Sequence, residues 1–156
     1  MFAGLAQYTV DAKGRVPVSP EHRKGLTGEV VLTAGYDDCM WIISRDDFQS
    51  ALDQLANPAN IFNPKTQRLQ RRFLGSAHIT ELDGQNRVRI PEPLRELIGL
   101  TDEDNQVIMV GVGNRIECWA KHRWLAYQQT ELTESNMVED ARIVGLWRED
   151  NGVGPA

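Results

Sequence analysis

Two stretches, "DAKGRVPV" at residues 11–18 and "DGQNRVRI" at 83–90, follow one pattern: Asp, three small or polar residues, Arg, Val, any residue, aliphatic. An aspartate and an arginine four residues apart straddle a tight turn, so their side chains can meet each other or the turn's own amides. Asp suits the second task, because its short carboxylate accepts from amides just ahead of it in the chain. Arg presents a planar fork of donors that fits phosphate oxygens or the O6/N7 edge of guanine. Lys13, Arg15, Arg87 and Arg89 crowd the two segments with few local acids. A loop or two-stranded ribbon of this width can enter the major groove. The residues therefore read as DNA contacts from Arg15 and Arg87, base readout being open to them, with Lys13 and Arg89 on phosphates. Asp11, Gly14, Asp83 and Asn86 shape the turns. Asn86 stands at the Gly14 position and tolerates a left-handed backbone nearly as well. Gln85 replaces Lys13, so the second loop lacks one charge or borrows it from Arg89.

The whole chain is acidic, with a net charge of -5, which argues against nonspecific binding to a polyanion. The distribution matters more than the sum. Residues 1–26 carry four Lys or Arg against two acids, and residues 65–95 carry seven against three. The acid lies in 27–64 and 96–156, so both motifs fall in the basic segments. A further cluster, "RLQRR", puts Arg68, Arg71 and Arg72 on one stripe of a helix. That secondary stripe reads first as a solvated face or a salt-bridge strip between subunits, partnered by a neighbour's acidic segment, and second as a DNA contact.

Other chemistries lack their residues. His22, His78 and His122 are scattered without HxxxH or HExxH spacing, so they read as surface or packing residues and no metal is expected. "GVGNR" at 111–115 sits in a hairpin turn without the Lys-Ser/Thr or helix of a phosphate loop. No nucleophile elbow or paired catalytic group appears, so no enzyme, cofactor or small-molecule substrate is expected. Cys39 and Cys118 lie singly in apolar runs and read as small core hydrophobes. The four tryptophans read as core or interface residues. No run reaches the roughly 18 apolar residues of a membrane span, and the first ten residues do not form a secretory signal, so a cytoplasmic protein is expected.

With 156 residues, 41% hydrophobic and 25% charged, the chain can bury one ordinary core. Its halves repeat beyond the motif. "VVLTAGYDDCMWII" and "QVIMVGVGNRIECW" each read as a β-hairpin, turning at Asp37-Asp38 and Gly113-Asn114. Each half closes on a helix: Ser44 caps "RDDFQSALDQL", with Asp47 three residues on as in a capping box, and "AKHRWLAYQQ" puts Trp124 where Phe48 stands. Between them "ANPANIFNPKTQ" reads as a linker into a short basic helix. Val16 and Val18 share one strand face, as do Val88 and Ile90, leaving Arg89 beside Arg87 on the other. Pro20, Pro91 and Pro93 end strands and open helices. Neither half has enough apolar surface to bury alone, so the halves are expected to interlock into one closed β structure without exposed edges.

The opening "MF.G", the two turns, "RLQRRFLGSA", "IP..LRE..GL" and "VGVGNRIECW" together resemble the MraZ family of bacterial transcriptional regulators over about residues 1–130. The resemblance implies a mainly β fold with short helices, a tandem pair of AbrB-like half-domains forming a swapped-hairpin barrel. Its segments would be 1–56 for the first half-domain, 57–75 for the linker and basic helix, 76–130 for the second half-domain, and 131–156 for a C-terminal helix and flexible tail. It places Lys13, Arg15 and Arg87 on motif positions; Arg89 is inferred from strand alternation alone. It further implies a homo-oligomeric ring, octamer-like, binding repeated elements of double-stranded DNA at the nucleoid. The function implied is repression of the division and cell wall gene cluster, including its own promoter. The competing reading within the superfamily is an antitoxin-like or scaffold module, with the acidic region after residue 130 as its only candidate partner-binding segment.

Overall fold

Period-two alternation and the turn residues divide the chain into two successions of the same elements. The computed structural model describes residues 1–146. The first half contains β1 (Leu5–Thr9), β2 (Arg15–Pro17), α1 (Pro20–Arg23), β3 (Glu29–Ala34), β4 (Met40–Ser44) and α2 (Arg45–Leu55). After α3 (Pro64–Gly75), the second half contains β5 (His78–Glu81), β6 (Arg87–Arg89), α4 (Glu92–Ile98), β7 (Gln106–Gly111), β8 (Ile116–Ala120) and α5 (Lys121–Thr130), followed by α6 (Glu134–Ile143). The chain divides into two units, residues 1–121 and 122–156. The expected unstructured tail and Trp147 lie outside the described residues.

Local chemistry sets the punctuation. The β3–β4 turn carries Asp37 and Asp38 at φ 57° and 60°, and the β7–β8 turn carries Gly113 at φ 90°. Ser44 Oγ accepts the Asp47 amide at 3.2 Å, capping α2, and Asn63 Oδ1 accepts the Lys65 amide at 3.0 Å to start α3 at Pro64. Such caps are each worth about 1 kcal/mol.

In the first unit the halves exchange strands. The six-stranded antiparallel sheet runs β1-β7-β8-β4-β3-β5, so each hairpin is flanked by the first strand of the other half. Leu5 opposes Val110 at one side, Val31 opposes Ile79 at the other, and Met40 opposes Cys118 at the seam. β2 and β6 form a separate ribbon, with Arg15 opposite Arg89, Val16 opposite Val88 and Pro17 opposite Arg87. The inward faces share one core in which Val16, Leu32, Met40, Ile42, Val88, Met109 and Ile116 are all fully buried. Burying each such side chain contributes about 1.5–3 kcal/mol. A second cluster of Val31, Ile43, Phe48 and Phe73 fixes α2 and α3 on the other face of β3 and β4.

The expected closure is not met. The sheet is open, with β1 and β5 as edges, because the two strands between its ends are three residues each and pair only with one another. Pro17 also removes an amide from β2, limiting that strand to a short ribbon.

The second unit holds α5 from His122 onward, where Trp124 is buried and stacks on Tyr127 at 6.2 Å, and α6, capped by Thr133 and without a buried residue.

Candidate nucleic-acid interface

Each motif folds the same way because its aspartate reads its own turn. Asp11 Oδ1 accepts the amides of Lys13 and Arg15, both at 2.9 Å, while Oδ2 accepts Nε of Arg15 at 2.8 Å. Asp83 Oδ1 accepts the amides of Gln85 and Arg87 at 2.8 and 3.0 Å, and Oδ2 accepts Nε of Arg87 at 2.9 Å. The chain reverses through Gly14 at φ 79° and Asn86 at φ 59°. Both carboxylates are thus engaged with the amides of their own turns. The amide of Arg15 leads in holding the Asp11 carboxyl below the usual carboxylate range, and the amide of Arg87 does the same for Asp83.

Each arginine is hydrogen-bonded to its own aspartate through Nε. Their side chains are 33% and 24% exposed for Arg15 and Arg87, so both are partly accessible. The β2–β6 ribbon brings the two turns side by side. Nη1 of Arg87 lies 4.0 Å from Asp11 Oδ2. Arg89, opposite Arg15, donates Nε to the Lys13 carbonyl at 3.1 Å. Four cations thus share one ribbon with two carboxylates. Arg89 stands against the first turn, because antiparallel register sets it beside Arg15 and sets uncharged Pro17 beside Arg87.

The basic stripe of α3 lies elsewhere. Thr33 Oγ1 donates to the Phe73 carbonyl at 2.7 Å, fixing the C-terminal end of α3 at the far end of β3. The Asp83 turn leaves β5 past Glu81, which pairs with Glu29 at the near end. Arg72 also departs from the predicted stripe. Its Nε donates to the Gly35 carbonyl at 2.9 Å, so it ties α3 to the β3–β4 turn. Arg68 and Arg71 remain exposed beside Lys65.

Sequence reasoning missed Arg95. Its guanidinium lies under Gly14, where a Cβ would stand 2.8 Å from Nη1 and 3.0 Å from the Ile90 carbonyl oxygen. Gly14 is thus required both by its backbone angle and by this close approach. No local signal marks the contact, which joins α4 to a turn in the other half. Arg95 also borders a cleft of about 660 Å³ with Asp11, Glu92, Glu96 and Asp102. Its carboxylates make that cleft unsuited to a phosphate.

His22 is buried as a packing residue, its Nε2 lying 3.1 Å from the Ala3 carbonyl oxygen. Among the described residues no acid, His and Cys cluster could hold a metal, and no helix is long and apolar enough to cross a membrane.

Comparison with known proteins matches residues 1–72 and again 73–146 to the family model described as "MraZ protein, putative antitoxin-like". The chain belongs to the MraZ family. The double match falls on the two halves whose strands interleave. A "Transcriptional regulator MraZ" of Lachnoclostridium phytofermentans is 37% identical over 134 residues, covering 86% of this chain and 92% of the relative. The protein of that name from Methylococcus capsulatus is 37% identical over 142 residues, covering 88% and 90%. The one from Acetivibrio thermocellus is 33% identical over 147 residues, covering 94% and 100%. The MraZ family pattern therefore spans both turns and the helices behind them.

Proposed function

We propose that this MraZ-family chain is a sequence-specific DNA-binding transcription regulator that uses the β2–β6 ribbon as its reading head. One observation carries the reading: two arginines from distant parts of the chain are brought to one ribbon, each held by an aspartate through Nε and each still partly exposed. A guanidinium fixed in this way loses less freedom on binding than a mobile one. Its two terminal nitrogens match the paired acceptors of guanine or of a phosphate. Lys13 and Arg89 supply phosphate contacts that position the head, and Arg15 and Arg87 reach base edges. The relatives' name, transcriptional regulator, supports the same assignment.

A single head makes few contacts, too few for specific affinities of about 10⁻⁸ M or tighter. Several copies on evenly spaced repeats raise avidity by about 10² to 10⁴. We therefore propose an octamer-like ring acting on repeated promoter elements in the cytoplasm at the nucleoid, repressing the division and cell wall gene cluster and its own promoter. The resemblance to AbrB-like half-domains supports reading the exchanged hairpins as the family's swapped-hairpin arrangement, here with an open sheet, over segments 1–56, 57–75, 76–130 and 131–156. The protein has no catalytic role in this reading.

The test is filter binding of Arg15→Ala to promoter DNA at several salt concentrations. Each lost contact is worth about 1–3 kcal/mol, and the loss recurs in every engaged subunit. Unchanged affinity with assembly intact would reject the assignment. A second reading, an antitoxin-like module, has support in the family description and in the acidic helix α6. Co-purification of a toxin-like partner from the native host, with no selection of spaced repeats from random DNA, would favour it.

A further inference from the structure

Helix α6 has no buried residue and exposes both acidic and apolar side chains. At helical spacing Glu134, Met137, Asp140, Ala141 and Val144 share one face. Met137 and Val144 are 60% and 76% exposed. Arg142 lies on another side and pairs with Glu139 at 3.9 Å, and no ion pair of Glu134 or Asp140 is found among the described residues. Helix α3 carries the complementary pattern. Lys65, Arg68 and Arg71 line an exposed face free of acid, and just before the helix Ile61 and Phe62 are 49% and 89% exposed.

The spacings match as well as the charges. Lys65 to Arg71 and Glu134 to Asp140 are each six residues, about 9 Å along a helix axis. An antiparallel approach sets Glu134 on Arg71 and Asp140 on Lys65, with Met137 along the alkyl stem of Arg68. Val144 then reaches Ile61 and Phe62. The antiparallel sense also opposes the two helix dipoles favourably.

We propose that α6 of one copy docks antiparallel on α3 of a neighbouring copy, and that this head-to-tail contact links successive subunits. A contact between two different surfaces closes a ring when its rotation permits. The inference rests on the assembly proposed above and assigns the surfaces that make it, leaving the β2–β6 ribbon out of the joint.

Two charge-reversed full-length chains test it without DNA: Lys65→Glu/Arg71→Glu in α3, and Glu134→Lys/Asp140→Lys in α6. Light scattering is expected to find the wild type assembled and each variant alone dissociated, because like charges meet at every joint. An equimolar mixture is expected to reassemble, since each reversed α3 then meets a reversed α6; this recovery also shows that both variants are folded. Variants that assemble alone like the wild type, or a mixture that stays dissociated, would overturn the docking. A wild type that is itself monomeric would overturn the ring reading along with it, whereas lost DNA binding by an intact assembly would leave both standing.

Discussion

The two turns share a backbone but not an environment. The first gathers Lys13, Arg15 and, across the ribbon, Arg89, with Arg95 packed beneath Gly14. The second has Arg87, with uncharged Gln85 and Pro17 in the corresponding places, and its reversal is made by Asn86. One repeated motif has thus become a strongly cationic turn buttressed from below and a weaker one beside it. A repeat preserves the local geometry because that geometry depends on four or five adjacent residues. It does not preserve the charge, which differs at one motif position, Lys13 against Gln85, and in the residue that the opposite strand supplies.

The difference between the two turns is expected to be largest in DNA affinity. Arg15→Ala is expected to cost more than Arg87→Ala, the first at the upper end of about 1–3 kcal/mol per site and the second at the lower. Equal losses in a titration of promoter DNA would make the turns equivalent. A stability measurement separates the backbones. Gly14→Ala forces a Cβ into an unfavourable φ of 79° and against Arg95 and the Ile90 carbonyl, and is expected to cost about 1–3 kcal/mol in urea unfolding. Asn86→Gly keeps the geometry and is expected to stay within about 1 kcal/mol of the wild type.

Making the turns alike sharpens the contrast. Gln85→Lys is expected to steepen the salt dependence of DNA binding by about one charge per engaged subunit, and Lys13→Gln to flatten it by the same amount. Acid should act on both turns together. Asp11 and Asp83 titrate below their unfolded value, so the unfolded chain binds protons first as pH falls. Their stabilisation is complete above the unfolded value of about 3.9 and is lost as pH drops through the lower folded values. Asp11→Asn is expected to reduce the acid sensitivity of unfolding, while a pH profile identical to that of the wild type would deny the carboxylate its role. The smallest effect lies away from the turns. Burial pushes the Cys118 thiol up to about 12 and raises Cys39 as well. Both should stay inert to a thiol reagent at neutral pH until the protein unfolds.

Much of the site was readable because its determinants are close in sequence. The aspartate reading its own turn, Asn86 in place of Gly14, the alternation of Val16 with Val18 and the Ser44 cap all act within a few residues, where spacing determines geometry. The repeat itself announced two similar halves, and their shortage of apolar residues required them to share a core. Tertiary structure decided the rest. Arg89 meets Lys13 across 76 positions, Arg72 leaves its predicted stripe for a carbonyl 37 positions away, and Arg95 reaches Gly14 only because α4 packs beneath the other half's turn. The open sheet belongs with these. Whether two edge strands join depends on the length and register of the strands between them, which arise from pairing across the whole chain, whereas a turn or a cap is complete within its own few residues.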